Sequence, residues 1–138
     1  MKLILASHGD LCTGMLSSYQ MIAGVNKDIA VISLTDAGIE DFVRRFNTML
    51  DEFVRTHEVL IITDIKGGTP YNEAFNYFLR KKEKVRVISG MNLPMVIETG
   101  LNLQTKSLGD LYSLALDIGR SGIEGAEEIE TQTDDIEF

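Results

Sequence analysis

The chain lacks the features that mark secreted, membrane-spanning or disulfide-stabilised proteins. Its 138 residues include one cysteine, Cys12, two prolines and no tryptophan. A single thiol cannot form an internal disulfide, and no run approaches the roughly 18 apolar residues of a membrane span. The apolar start, residues 2–6, is too short for a signal peptide. We therefore expect a cytoplasmic protein, and its length suffices for a core without disulfides or metals.

Positive charge is also scarce, and the net charge of −8 is unevenly placed. Residues 124–138 hold seven acids and no bases, which leaves 14 acids against 13 bases in the rest of the chain. No basic patch indicates a nucleic-acid partner. We expect one domain over residues 1–122 and an acidic tail over 123–138, either disordered or ordered by a partner. Residues 128–133 alternate loosely and would also suit an edge strand.

Short apolar runs alternate with segments of helical spacing along the rest of the chain. The runs predict strands over residues 2–6, 29–34, 59–63 and 85–88. The spaced segments predict helices over residues 11–23, 39–56, 70–79, from about 94, and 107–119. Gly24 suits the end of the first helix. This alternation predicts a three-layer α/β/α fold with a mainly parallel sheet and helices on both faces.

Polar and glycine residues collect where three of the four strands end. The segments are residues 7–10, 64–70 and 89–94. Ligands in open parallel sheets bind beyond the carboxyl ends of the strands. If strands one, three and four are neighbours, these three loops form one cleft.

His8 and Asp64 are the candidate catalytic residues of this cleft. A neutral imidazole can attack phosphorus through one nitrogen if the other is held as N–H. Asp64, at the end of the third strand, is placed to hold that nitrogen and to stabilise the cation that forms. The alternative is that His8 merely completes a turn and Asp64 merely caps a helix.

The loop that follows Asp64 has the composition of an anion site. Gly67 and Gly68 allow backbone N–H groups to approach a ligand, and Thr69 suits a helix N-cap with a proline after it. An ordinary turn and helix start would have the same composition. The loop lacks the lysine of a Walker motif, so we expect no ATP site of that kind. Asp10 and Asp64 alone make a poor magnesium site, and we expect no bound metal.

Taken together, these motifs give the chain a family resemblance over about residues 2–122. The matching pieces, in order, are Ser7-His8-Gly9, Gly14, Ile22-Ala23-Gly24, Thr63-Asp64, residues 67–72 (Gly-Gly-Thr-Pro-Tyr-Asn) and residues 90–95 (Gly-Met-Asn-Leu-Pro-Met). The chain resembles the IIA component of the mannose family of the bacterial phosphoenolpyruvate-dependent sugar phosphotransferase system. The related dihydroxyacetone-kinase phosphocarriers have a similar domain, but Gly9 and the Asn-Leu-Pro-Met stretch favour the sugar branch.

The resemblance implies a phosphotransferase that works through a phosphohistidine and without a cofactor. His8 would accept the phosphoryl group from phospho-HPr and pass it to the IIB component, with Asp64 as its partner. The Gly67–Thr69 loop would bind the phosphoryl oxygens. Other cleft-lining residues would be Ser7, Gly9, Asn72, Asn92 and Leu93. The family also implies a homodimer, in some members with a C-terminal antiparallel edge strand exchanged between subunits.

Three alternatives use the same residues. A flavodoxin-like module would hold a phosphate-bearing ligand without chemistry, and a regulatory sensor would report phosphorylation of His8 to another protein. A small hydrolase would combine Asp10, Asp64 and a metal. The identity of the sugar belongs to the membrane component and is not encoded here.

Overall fold

A computed structural model describes residues 1–128 of the chain. Its strands are β1 (Lys2–His8), β2 (Ile29–Leu34), β3 (Val59–Thr63) and β4 (Val85–Ser89). Its helices are α1 (Leu11–Ala23), α2 (Ile39–Phe53), α3 (Thr69–Arg80), α4 (Leu93–Leu101) and α5 (Leu108–Ser121).

The four strands form one parallel sheet in the order β2-β1-β3-β4. The strands that precede the three polar loops, β1, β3 and β4, are therefore neighbours, as the convergence of those loops requires. The register pairs Ala6 with Thr63, and Thr63 with Ser89, so these strands end at nearly the same level. The three-layer, parallel α/β fold predicted from the sequence is confirmed.

The side chains of β1 alternate between two separate hydrophobic cores. Leu3 and Leu5 pack in the core beneath α1, α4 and α5. Ile4 and Ala6 pack in the core beneath α2 and α3. Because both faces of the sheet are covered, its central strands are continuous apolar runs, which is why they stand out in the sequence.

Helix α1 has its predicted bounds, and the other helices differ from theirs by one to three residues. Gly24 ends α1 with a φ of 87°, as predicted, and its N–H bonds the carbonyl of Gln20. The prediction that Thr69 caps α3 is wrong, because Gly68 occupies the N-cap position and Thr69 is the first helical residue. β1 extends to His8, so the histidine is the last residue of the strand.

The described part of the tail, residues 123–128, is exposed and contains neither helix nor strand. The predicted edge strand over residues 128–133 lies almost entirely outside the described residues. Among residues 1–128, no helix combines the length and the apolar character that crossing a membrane demands.

Candidate active site

The loops after the strands are joined to one another by backbone hydrogen bonds. The N–H of Gly9 donates to the carbonyl of Leu34 at 2.8 Å, which joins the loop after β1 to β2. The N–H groups of Gly90 and Met91 donate to the carbonyls of Asp64 and Thr63, at 3.2 and 3.1 Å. These bonds continue the sheet beyond its strands and give the site a rigid base.

His8 and Asp64 meet at the carboxyl edge of the sheet, as predicted. The Oδ2 atom of Asp64 lies 2.7 Å from Nδ1 of the His8 ring and 2.8 Å from the backbone nitrogen of His8. The histidine side chain is 50% exposed and that of Asp64 only 11%. A carboxylate accepts only, so in the neutral ring Nδ1 carries the proton and Nε2 presents its lone pair.

Asp64 is held as a carboxylate by the groups around it. Burial raises the pKa of Asp64, but hydrogen bonds from the His8 backbone, the His8 ring and the backbone N–H of Ile65 outweigh it, so that pKa lies below its ordinary value. The bond from Ile65 reaches Oδ1 at 2.9 Å, so both carboxylate oxygens accept N–H groups. A negative charge beside Nδ1 favours any state in which the ring becomes cationic.

Glycine occupies positions 67 and 68 for two different structural reasons. Gly67 adopts a φ of 86°, a left-handed conformation that side chains disfavour. Gly68 has an ordinary φ of −75°, but a Cβ there would stand 2.7 Å from Cε1 and 3.4 Å from Nε2 of His8. The loop therefore passes directly against the ring beside the nitrogen that is free to react.

The start of α3 offers hydrogen-bond donors on the same side of the ring. The first N–H groups of a helix have no partner within the helix. The N-cap residue of α3 is Gly68, so no side-chain hydrogen bond caps this helix start. The backbone of Thr69 is such a donor, while Pro70 has no N–H to contribute. Asn72 closes the loop from the helix side, since its Nδ2 donates to the carbonyl of Gly67 at 3.1 Å. A negatively charged group would be favoured at this helix start.

The prediction that Ser7 lines the cleft is wrong. Its side chain is fully buried, and Oγ accepts the backbone N–H of Cys12 at 2.9 Å. Alternation along β1 explains this, since Ser7 continues the face of Leu3 and Leu5, opposite to the face of His8. Gly9 is exposed beside the histidine and adopts a φ of 55°, which suits glycine.

Asn92 and Leu93 serve the packing of α4 rather than the histidine. Asn92 caps the helix, since Oδ1 accepts the N–H of Met95 at 3.1 Å and Nδ2 donates to the carbonyl of Gly119 at 2.7 Å. Leu93 packs against the α1, α4 and α5 core and lines an apolar cavity with Ile22. Neither residue makes a polar contact with His8. Asn92 does line a cavity with Lys66 of the loop after β3, so of these two the structure contradicts the cleft-lining prediction for Leu93 only.

Sequence reasoning missed Ile65, an apolar residue in an otherwise polar loop. It is 60% exposed, and its Cγ2 would lie 3.2 Å from a Cβ on Gly68. Its backbone N–H holds Asp64, and its carbonyl accepts the N–H of Gly68 at 3.3 Å. No local pattern signals this role, because it depends on the backbone of Ile65 and not on its side chain.

Within residues 1–128, no three side chains of His, Cys, Asp or Glu come together as metal ligands. Asp10, the other acid of the hydrolase alternative, is exposed in the turn after His8. Both oxygens of Asp64 already accept N–H groups.

A flavodoxin-like α/β domain with a histidine–aspartate pair above its sheet is the class that the fold and the site define. Residues 2–116 match the family described as EIIA-man, PTS system fructose IIA component. The chain belongs to this family, the IIA components of the sugar phosphotransferase system (PTS), and so has the general phosphocarrier role of that system. The resemblance drawn from the sequence is confirmed.

Individual relatives agree with this assignment. The fructose-specific EIIA component of Bacillus subtilis (strain 168) is 33% identical over 113 residues, which are 81% of this chain and 77% of that protein. The mannose-specific EIIAB component of Escherichia coli (strain K12) is 28% identical over 88% of this chain, which spans only 38% of that protein. A solved structure, the mannose/sorbose specific IIA subunit from Enterococcus faecalis, has a TM-score of 0.82 at 31% identity and covers 95% of this chain and 98% of its own.

Proposed function

We propose that His8 is the phosphoryl-accepting residue, that it reacts through Nε2, and that it relays the group from phospho-HPr to a histidine of the IIB component. The observation that carries the proposal is the pairing of Nδ1 with Asp64 at 2.7 Å, which leaves Nε2 as the nucleophile. Half of the histidine side chain is exposed, so a second protein can reach it.

In the first transfer, the lone pair of Nε2 attacks phosphorus while the bond from phosphorus to the donor nitrogen breaks. The electron pair of the broken bond stays on the donor imidazole. The His8 ring then carries the phosphoryl group on Nε2 and a proton on Nδ1, and Asp64 stabilises its positive charge. In the second transfer the same events run in reverse toward the acceptor. Phosphoryl transfer needs chiefly positioning and charge stabilisation, which the Asp64 pairing and the start of α3 support.

The phosphoryl oxygens are proposed to lie at the start of α3. Gly68 contacts the ring beside Nε2, so a phosphoryl group on that nitrogen would stand next to the uncapped helix start. The backbone N–H and hydroxyl of Thr69 are the nearest candidates for donors in the first turn. This assigns the Gly67–Thr69 loop to charge stabilisation rather than to recognition of a sugar.

A IIB acceptor is supported by the name of the Escherichia coli relative, an EIIAB component that joins A and B in one protein. Fructose, mannose and sorbose all appear in the names of relatives, so the sugar is left open. The homodimer, the exchanged C-terminal strand and the cytoplasmic location stay predictions from the sequence.

The test is phosphorylation by phosphoenolpyruvate, enzyme I and HPr, followed by mass spectrometry. We expect an acid-labile, alkali-stable phosphate on the peptide that contains His8, and none in His8→Ala. His57→Ala is the matched control, because it removes the other histidine of the chain and should retain full labelling. Persistent labelling of His8→Ala would remove His8 from the relay.

A further inference from the structure

The turn between His8 and α1 is closed by a single buried hydroxyl. Oγ of Ser7 accepts the N–H of Cys12 at 2.9 Å and lies 3.1 Å from the carbonyl of Gly9, to which it donates. Both the hydrogen and a lone pair of this hydroxyl are therefore used. Ser7 is fully buried, as is Cys12, so water cannot replace the bond to the Cys12 N–H, whereas the bond to the Gly9 carbonyl is only partly buried.

The hydroxyl acts where a helix cap is otherwise missing. Asp10 holds the N-cap position of α1, and its side chain makes no capping bond. The N–H of Cys12 belongs to the first turn, which has no partners within the helix. Ser7 supplies the acceptor from the strand side, and so ties the end of β1 to the start of α1 across the His8–Asp10 turn.

The position of the His8 ring tolerates little movement. Asp64 holds Nδ1 on one side, and Gly68 approaches the ring so closely that a Cβ would lie 2.7 Å from Cε1. The ring can also shift with the backbone of the turn, which is held by the bond from the His8 N–H to Asp64, by the bond from the Gly9 N–H to Leu34, and by Ser7. Ser7 restrains that backbone from below, on the face of β1 opposite to the ring.

We propose that Ser7 is a positioning residue for phosphoryl transfer: its hydroxyl fixes the turn that holds His8 against Asp64 and the Gly67–Gly68 loop. This inference rests on the proposed function of His8. It assigns to Ser7 no contact with the phosphoryl group or with a partner protein. Ser7 acts on the reaction only through the orientation of His8.

The test compares Ser7→Ala and Ser7→Thr with a control, Ser33→Ala. Ser33 is the register partner of Ser7 on β2, and its Oγ lies 3.3 Å from the Cys12 thiol, so the control removes a neighbouring hydroxyl that does not touch the turn. We expect Ser7→Ala to slow transfer from phospho-HPr about tenfold, since a ~1 Å misplacement can cost on the order of 10²-fold. Ser7→Thr, which keeps the hydroxyl, should recover most of the rate, and Ser33→Ala should retain it.

Two NMR measurements on the unphosphorylated protein separate this proposal from the role of His8 itself. In Ser7→Ala we expect faster hydrogen exchange at the Cys12 amide and changed ¹⁵N shifts of the His8 ring, with the folded spectrum otherwise kept. If Ser7→Ala fails to fold, Ser7→Cys, which keeps the volume but is a weak acceptor, is judged by the same criteria. Unchanged ring shifts and transfer rate in the folded variant, or no recovery in folded Ser7→Thr, would overturn the proposal. Altered ring shifts without any phosphorylation of His8 in the wild type would refute the proposed function instead.

Discussion

A single oxygen of Asp64, Oδ2, lies 2.7 Å from the ring Nδ1 and 2.8 Å from the backbone nitrogen of His8. The same carboxylate thus fixes the strand end and the ring that the strand end carries. Its other oxygen accepts the N–H of Ile65. Asp64 therefore needs two acceptor oxygens and a full negative charge, and each requirement leads to a separate prediction.

Asp64→Asn should keep the fold but slow phosphoryl transfer. An amide has one acceptor oxygen, so either the His8 side or the Ile65 side must face an NH₂ group in place of an acceptor. The variant also loses the charge that stabilises the phosphorylated ring. We expect the rate of transfer from purified phospho-HPr to fall roughly 10²–10⁴-fold. Rapid-quench measurement of the two rates checks this, and equal rates would exclude Asp64 from the mechanism.

The same substitution should change how stability depends on pH. Because hydrogen bonds lower the pKa of Asp64 in the folded protein, the unfolded chain binds more protons in the acidic range. The stabilisation is complete above the unfolded pKa of about 3.9 and is lost as pH falls through the folded value. Denaturant unfolding of wild type and Asp64→Asn at several pH values should therefore show a stability difference that narrows below about pH 4. A difference that stays constant or widens there would contradict the assignment.

Gly68→Ala tests the close approach of the loop to the ring. The φ of −75° accommodates alanine, so any effect comes from the Cβ, which would meet Cε1 of His8 at 2.7 Å. The ring must move away from Asp64 or from the helix start, and we expect transfer to fall on the order of 10²-fold.

Gly14→Ala is the matched control for that variant. Gly14 lies in α1, and nothing stands within 4 Å of a Cβ there. Alanine should stabilise the helix by up to about 1 kcal/mol and leave transfer unchanged. The measurement is a side-by-side comparison of the transfer rates of Gly68→Ala and Gly14→Ala. Equal activity of both variants would show that the ring does not need the space beside Gly68.

Asn92→Ala should affect stability more than transfer. The substitution removes the cap on the N–H of Met95 and the bond to the carbonyl of Gly119, both partly buried. We expect a loss of about 1–3 kcal/mol in the free energy of unfolding. Asn92→Asp keeps the cap acceptor and should lose less than alanine at neutral pH. A stable Asn92→Ala that transfers far more slowly than wild type would return Asn92 to the reactive cleft.

The fold was predictable because its sheet is buried on both faces. Runs such as residues 59–62 are apolar throughout, and this pattern together with the intervening helices defines the architecture. The pairing of His8 with Asp64 was predictable only on the condition that strands one and three are neighbours, which the sheet order fulfils. The burial of Ser7 could also have been predicted from the alternation of side chains along β1. A residue in phase with Leu3 and Leu5 faces the same core as they do, on the side of the sheet opposite to His8.

The details of the site depend on contacts between segments distant in sequence. Thr69 is a residue type that suits an N-cap, but Gly68 takes that position and α3 begins one residue earlier than predicted, as helix bounds commonly do. The approach of Gly68 to His8, about 60 positions earlier, is a contact that no local pattern encodes. Asn92 lies two residues before Pro94 and is a residue type that suits an N-cap. In the structure it is the N-cap of α4. The bond from Asn92 to Gly119 and the burial of Leu93 follow from the packing of α4 against α5, which no local pattern encodes.

The central claim is that the phosphoryl group resides on Nε2 of His8 while Nδ1 stays bonded to Asp64. Two-dimensional ¹H–¹⁵N NMR of the protein phosphorylated through phospho-HPr measures this directly, because the two ring nitrogens have distinct shifts and couplings. We expect ³¹P coupling to Nε2 and a protonated Nδ1. Phosphorylation at Nδ1, or on any residue other than His8, would contradict it.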